Sequence, residues 1–320
     1  MTIPPSLQNS KLVSPLTLDE LEAPPLSLGR MAWLKFRRHK MALVGVGILV
    51  FMILYCTVGG FVFSEKFANY NDTSIALQPP SAAHIFGTDV IGRDILARTI
   101  YGGQISLLIG LIAVMLETTL GILVGAASGY FGGLIDNLLM RFTETIIIIP
   151  QIFLLLVMAK FFAGDIPDIT IAGREFSGSV VVIIAIIGLT SWPYLARIVR
   201  AEFLTLKESE FVLAARATGT STFDIIFRHI LPNSIAPIVV SATLGVANAI
   251  TLEAYISFLG LGVRPPTATW GNMLEGAYSY IEKAYWLWLF PGLLILLIVL
   301  SINFVGDGLR DALDPRSRTV

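Results

Sequence analysis

The sequence predicts an all-α polytopic membrane protein with six transmembrane helices. Three observations carry that fold class: the composition, six long apolar segments, and a one-sided distribution of basic residues. Of the 320 residues, 55% are hydrophobic and 14% charged, and the mean hydropathy is +0.76. A soluble domain carries about 25% charged residues, so these charges are too few to clothe a globule of this size in water. Disorder requires the opposite composition, low hydrophobicity with high charge. The formal net charge of −1, from 22 basic and 23 acidic residues, gives no signal for nucleic acid. The single cysteine, Cys56, stands in an apolar run and reads as a small buried hydrophobe.

Residues 1–29 are proline-rich and lack a helical period, so they read as a disordered cytoplasmic tail. About 40 residues precede the first apolar segment, too many for the basic leader of a cleaved signal peptide. Within residues 30–101, Arg30 to Lys40 is basic with Met31, Trp33, Leu34 and Phe36 interspersed. That stretch suits a helix lying in the membrane interface; the plainer alternative is a positive anchor for the span that follows.

Spans are expected at 41–63, 105–128, 142–162, 179–199, 233–258 and 284–305, each long enough to cross about 30 Å of hydrocarbon. The first contains no charge. The second holds Glu117, the third Glu144 and Lys160, and the fifth Asn248 and Glu253. Gly121, Gly125 and Gly129 fall on one face of the second span, which lets another helix approach closely. Residues 64–101 form the longest external segment, and Asp89 to Ile100 is patterned as a short interfacial helix leading into the second span. There Asp89, Asp94 and His84 read either as metal ligands or as a salt-bridged turn. With only three scattered histidines, no metal site is assigned.

With an even number of spans, both termini share one side. That side carries 15 of the 22 basic residues, so both ends are expected in the cytoplasm. The chain has no Gly-Lys dipeptide, hence no phosphate-binding loop, and no H-E-x-x-H or G-x-S-x-G motif. No catalytic residue is assigned, and the chain is not read as an enzyme. The intramembrane carboxylates Glu117 and Glu253 are costly against lipid and should face the bundle or an aqueous path. Glu117, Asn248 and Glu253 are therefore the candidates for a translocation path, with a hydrogen-bonded structural carboxyl as the alternative for Glu117. A stand-alone channel or secondary transporter remains open on these features, although no internal repeat or selectivity filter is visible.

Residues 200–232 separate the fourth and fifth spans and are not loop-like in composition. Phe211, Val212, Ala215 and Thr218 make one helical stripe, and Gly219 stops it. Ser221 followed by Asp224 reads as the cap of a second helix, and Pro232 marks the start of the fifth span. A helix-Gly-helix with small alanines between two spans suits docking into another protein's groove, or rest on the membrane surface.

This stretch resembles the EAA loop of ABC importer permeases, a pattern of Glu-Ala-Ala, three residues, Gly, eleven residues and Leu-Pro. Ala214, Ala215, Gly219, Leu231 and Pro232 stand in that register. Leu213 replaces the glutamate, with Glu210 and Glu208 nearby, and His229 replaces the usual isoleucine. The segments 87–107, 130–144, 229–238, 256–274 and 305–316 are similar to the second (C-type) permease subunit of dipeptide, oligopeptide and nickel importers. The resemblance covers about Leu28 to Arg316. It implies a type-I importer permease domain over residues 102–308, with a coupling loop at 200–232 and a cytoplasmic tail at 309–320. It also implies one half of a heterodimeric pore with a homologous permease, two cytoplasmic ABC ATPases that bind ATP and Mg, and an external solute-binding protein. No cofactor is implied in this chain itself. The ATPase-coupling residues would be Glu210, Phe211, Leu213, Ala214, Ala215, Arg216, Gly219, Leu231 and Pro232. Peptide is the expected substrate class. A nickel or other small-solute importer is the alternative, for which only Met115 and His84 stand near plausible positions.

Overall fold

The computed structural model describes residues 28–162, 166–171 and 174–314. The tail expected at 1–29 falls almost wholly outside the described residues, as does the end of the tail expected at 309–320. Helix α1 (Leu28–Phe36) is followed by α2 (Lys40–Val62), α3 (Glu65–Ala68) and the long α4 (Ile95–Phe131). Helices α5 (Gly133–Ile148) and α6 (Gln151–Phe162) come next. A two-stranded antiparallel ribbon, β1 (Ile169–Ile171) with β2 (Arg174–Phe176), pairs Ile169 with Phe176. Then come α7 (Gly178–Leu206), α8 (Glu210–Ala217) and a continuous helical segment α9 (Thr222–Phe258). Helix α10 (Trp270–Met273) and α11 (Trp286–Leu313) complete the chain. Five of these helices are long and apolar enough to cross a membrane, and a sixth span is reached when the bent pair α5–α6 is taken as one.

Three sequence expectations change in detail. The third span is not straight: α5 and α6 meet at 85°. Pro150 explains the break, because it lacks an N–H and pushes the residue before it out of the helical region; Ile149 is extended at φ −74, ψ 124. The interfacial helix expected to begin near Asp89 does not exist separately. Residues 87–94 form a turn, and Asp94 caps α4 by accepting from the Ala97 N–H at 2.9 Å, after which nothing interrupts the helix to Phe131. Nor does Pro232 start a new helix. It is absorbed by a π segment at 225–230 and a 3-10 turn at 231–234, with the Leu231 N–H bonded to the Ile226 carbonyl. The Pro232 nitrogen has no hydrogen for a regular bond, and the shifted pattern carries the chain past it.

The core forms where α4 crosses α7. Gly121, Gly125 and Gly129 of α4 lie against Leu195, Ala196, Val199, Arg200 and Phe203 of α7. A Cβ at Gly125 would stand 2.5 Å from the Ala196 carbonyl oxygen, and one at Gly129 2.6 Å from the Phe203 Cβ. The glycine stripe is thus a packing seam, as its spacing implies. Around the seam, Ile105, Ile109, Leu155, Ile183, Ile187 and Ile256 build one buried cluster, and Leu195, Val199, Phe203, Val212, Ile225 and Ile230 another. Helix α2 rests on α11 and α4, where Met52 and Cys56 are buried with Ile298, Ile302 and Trp270. Cys56 therefore has the packing role expected of it.

Close backbone contact separates the glycines by consequence. Gly125→Val should lower the thermal midpoint and the yield of folded protein in detergent, whereas Gly47→Val, where an added Cβ meets nothing within 4 Å, should leave both unchanged. Thermal unfolding of the two variants beside the parent checks this.

Candidate functional site

Helix α8 is held by one face and offers the other. Val212 (0% exposed) and Ala215 (8%) pack inward on Val199, Phe203, Ile225 and Ile230. Glu210, Phe211, Leu213, Ala214 and Arg216 are exposed, and the Arg216 guanidinium lies 5.5 Å from the Tyr130 ring centre. The helix ends in a six-residue loop closed by two bonds. The Thr220 N–H reaches the Ala215 carbonyl (3.1 Å), and the Gly219 N–H reaches that of Arg216 (3.0 Å). This closure needs a left-handed residue, and Gly219 supplies it at φ +79. Ser221 then caps α9, its Oγ accepting from the Asp224 N–H at 3.1 Å while its hydroxyl donates to the Asp224 carboxylate at 2.7 Å.

The nine residues assigned to coupling from the sequence thus divide. Ala215 and the half-buried Leu231 hold the segment to the bundle; the other seven, including Gly219 and Pro232, are exposed. Two aromatic residues that the motif reading passed over extend the outward surface. Phe223 is 67% and Phe227 43% exposed, with ring centres 4.3 Å apart. Their i, i+4 spacing just after a cap is the signal that would have found them.

Behind α8 the bundle is pinned by ions. Asp136 of α5 accepts from Arg200 Nε (2.6 Å) and Nη2 (2.7 Å) of α7, and also from the Ser128 hydroxyl. The Lys207 ammonium donates to the Gly129 carbonyl at 3.0 Å. Beside the Asp136–Arg200 pair a cavity of 710 Å³ opens between α5 and α7, lined by Asn137, Arg141, Glu144, Tyr194 and Arg197 among others. In the sequence, Arg141, Arg197 and Arg200 register only as charges on one side of the membrane. Nothing in the spacing shows that two spans bring them to one cavity.

The three polar residues proposed for a path do not share one environment. Glu117 of α4 is half-buried against α9, near enough that a Cβ at Gly245 would stand 3.5 Å from its carboxylate oxygen. Asn248, about one turn further along α9, is exposed. Glu253 is fully buried (0%) and leaves no open face toward a path. Its carboxylate accepts from Ser106 Oγ (3.2 Å) on α4 and Ser257 Oγ (2.8 Å) on its own helix. Those hydroxyls in turn accept from the backbone N–H groups of Trp270 and Val263, both at 3.2 Å. Glu253 is therefore the hub of a network that fastens the 259–270 segment to the spans. At the opposite end from α8, Asp94 is shared between the α4 cap and His84 Nδ1 (2.8 Å), while Asp89 accepts from Arg93 Nε (2.6 Å). The salt-bridged turn is the reading that this geometry fits. Among the described residues no three potential metal ligands converge.

Comparison with known proteins places this architecture. The family model for the binding-protein-dependent transport system inner membrane component matches residues 118–319, and that for the N-terminal TM domain of oligopeptide transport permease C matches residues 27–80. A putative peptide permease protein of Brucella suis is 44% identical, over 92% of this chain and 93% of the relative. The dipeptide transport system permease protein DppC of Alkalihalophilus pseudofirmus is 39% identical over 95% of this chain and 98% of its own. For the oligopeptide transport system permease protein OppC of Haemophilus influenzae the figures are 38%, 94% and 93%. Among solved structures, a chain of the inward-facing MetNI methionine ABC transporter shares the fold at TM-score 0.51 and 21% identity, covering 67% of this chain and 95% of that one.

Two substitutions test the parts played by Glu253 and Gly219. Glu253→Ala strips an acceptor from two buried hydroxyls and should cost about 1–3 kcal/mol, read as a lower thermal midpoint in detergent. Gly219→Val meets no atom within 4 Å, so its cost of roughly 1 kcal/mol or more is backbone strain alone. Membrane insertion should survive, while the thermal midpoint should fall slightly and protease cleavage between α8 and α9 should become faster.

Proposed function

We propose a function from one premise: this chain belongs to the binding-protein-dependent transport system inner membrane components. It is a multi-pass inner-membrane permease of an ATP-driven ABC importer, and its substrate is peptide. Transport permeases are not themselves enzymes; the energy comes from two partner ATPases that carry ATP and Mg. A homologous permease completes the pore, and an external solute-binding protein delivers the peptide. The basic end of the bundle, with both termini, faces the cytoplasm.

The observation that carries this reading is the two-faced α8: Val212 and Ala215 anchor it, and Phe211 (41% exposed) and Leu213 (48%) stand outward. Exposed apolar side chains flanked by Glu210 and Arg216 suit insertion into a cleft of an ATPase. The closing ATPases would then move α8, and with it the two continuous helices on either side. Such a switch requires ATP to favour one state by several kcal/mol, and that preference resides in the ATPases. Glu117 and Asn248 are the residues proposed to meet the substrate, since an acidic and an amide side chain suit a peptide's ammonium and backbone groups. No observation favours nickel: His84 is committed to Asp94.

The test is reconstitution of the complex with its binding protein. Peptide should stimulate ATP hydrolysis and enter the vesicles, and nickel should do neither; a chain that transports without ATPases sinks the reading. Because Leu213 stands where the family pattern has glutamate, docking here rests more on apolar burial and on Arg216 than on a carboxylate. Leu213→Ala should weaken ATPase retention by roughly 1–3 kcal/mol, measured by titration of detergent-solubilised permease with the ATPase pair.

A further inference from the structure

The outer face of helix α1 is accounted for neither by the importer reading nor by the packing of the bundle. The inner face is fixed. Phe36 (9% exposed) and Ala32 pack on Ala42, Val46, Val305, Leu309 and Ala312. The fit is close enough that a Cβ at Gly308 would stand 2.3 Å from the Ala42 Cβ and 3.2 Å from the Phe36 ring. The turn into α2 is equally determined. The Arg37 N–H bonds to the Trp33 carbonyl and the His39 N–H to that of Phe36. His39 Nδ1 accepts from the Ala42 N–H at 3.1 Å, and its Nε2 lies 3.5 Å from the Asp311 carboxylate.

The outer face is a different chemistry. By helical spacing Arg30, Trp33 and Leu34 share one side of α1 and Arg37 continues it into the turn, with the Trp33 ring stacked on the edge of the inner face, 6.4 Å from the Phe36 ring centre. Trp33 is 59% and Leu34 44% exposed, and Arg37, Arg38 and Lys40 are exposed beside them. This surface is continuous with exposed Met41, Leu43 and Val44 at the first turn of α2, a 23-residue helix that contains no charge after Lys40. An exposed tryptophan within a basic cluster, at the depth where an apolar span ends, matches the region of lipid headgroups. There the indole lies among acyl carbons, and arginine and lysine extend to phosphate.

We propose that the outer face of α1 is a docking surface for anionic phospholipid. Trp33 and Leu34 enter the leaflet and Arg37, Arg38 and Lys40 meet the headgroup phosphates. Because the inner face is clamped on α11, this contact fixes the end of the last span to the membrane surface as well as the start of the first spanning helix. The occupant is lipid rather than protein because exposed Trp33 and Leu34 run on into the exposed apolar Met41, Leu43 and Val44 of α2 with Arg37, Arg38 and Lys40 between them, while the acidic Asp307 and Asp311 lie on the α11 side, beside His39 and Met41.

The test uses the full chain in nanodiscs of phosphatidylcholine in which a minority lipid carries the quencher, either brominated phosphatidylglycerol or brominated phosphatidylcholine. The fluorescence of Trp33 is taken as the difference between the parent and Trp33→Phe. Brominated phosphatidylglycerol should quench that component about twofold more than brominated phosphatidylcholine, a preference that high salt should erode. The doubly exposed variant Arg37→Gln/Arg38→Gln should abolish the preference while leaving the helical circular dichroism unchanged. Equal quenching by the two lipids overturns the anionic preference. Absence of quenching by either, which would place α1 in water or against protein, overturns the lipid assignment. The measurement needs neither partner subunits nor transport, so its result is independent of the importer reading.

Discussion

The close approach of α4 and α7 is the constraint on which the remaining architecture rests. In lipid there is no hydrophobic gain in bringing two apolar helices together, so association depends on dispersion contact and on backbones able to come near. Three glycines in register supply that nearness at Leu195, Ala196 and Phe203. The position of everything beyond the seam follows. Phe203 is buried in the cluster that takes Val212 and Ala215 of α8, and Lys207 reaches back to the carbonyl of Gly129 itself. The presented surface of α8 is therefore referenced to the seam through contacts of only a few residues, with little slack between them.

The polar groups obey the same economy. An unpartnered carboxylate in this environment would cost several kcal/mol, and Glu253 avoids the cost by gathering hydroxyls from Ser106 and Ser257, which themselves hold backbone N–H groups. Asp136 is likewise surrounded by Arg200 and Ser128. Glu117 and Asn248 differ from these two: Asn248 is exposed, and Glu117 retains an open edge. That contrast separates polar residues that fasten helices from polar residues that stay open at the surface of the bundle.

Much of this was legible in the residues. Apolar length located the spans, the Gly121-Gly125-Gly129 spacing located a packing seam, and Gly219 located the end of α8. What the residues did not disclose depends on partners distant in sequence. The burial of Glu253 requires Ser106 from another span, and the 85° break at Pro150 was hidden inside a hydrophobic run whose composition is unaffected by it. Charge counting also treated Arg200 as a marker of sidedness, whereas its partner Asp136 lies 64 positions away. Local patterns report local geometry and apolar burial well; pairings across the bundle have no local signature.

The π segment at 225–230 has a mechanical corollary. Because the chain passes Pro232 without breaking, α9 is one rod of 37 residues from Thr222 to Phe258, about 55 Å at the rise of a helix. One end is capped by Ser221 beside the α8 turn, and the other carries Glu253 and its serine-held loop. Such a rod behaves as a crank. A torque at the α8 turn, of the kind the proposed coupling would deliver, would reach the far end as rotation of the Glu253 collar only through residues 225–234, where the regular bonding ladder is interrupted.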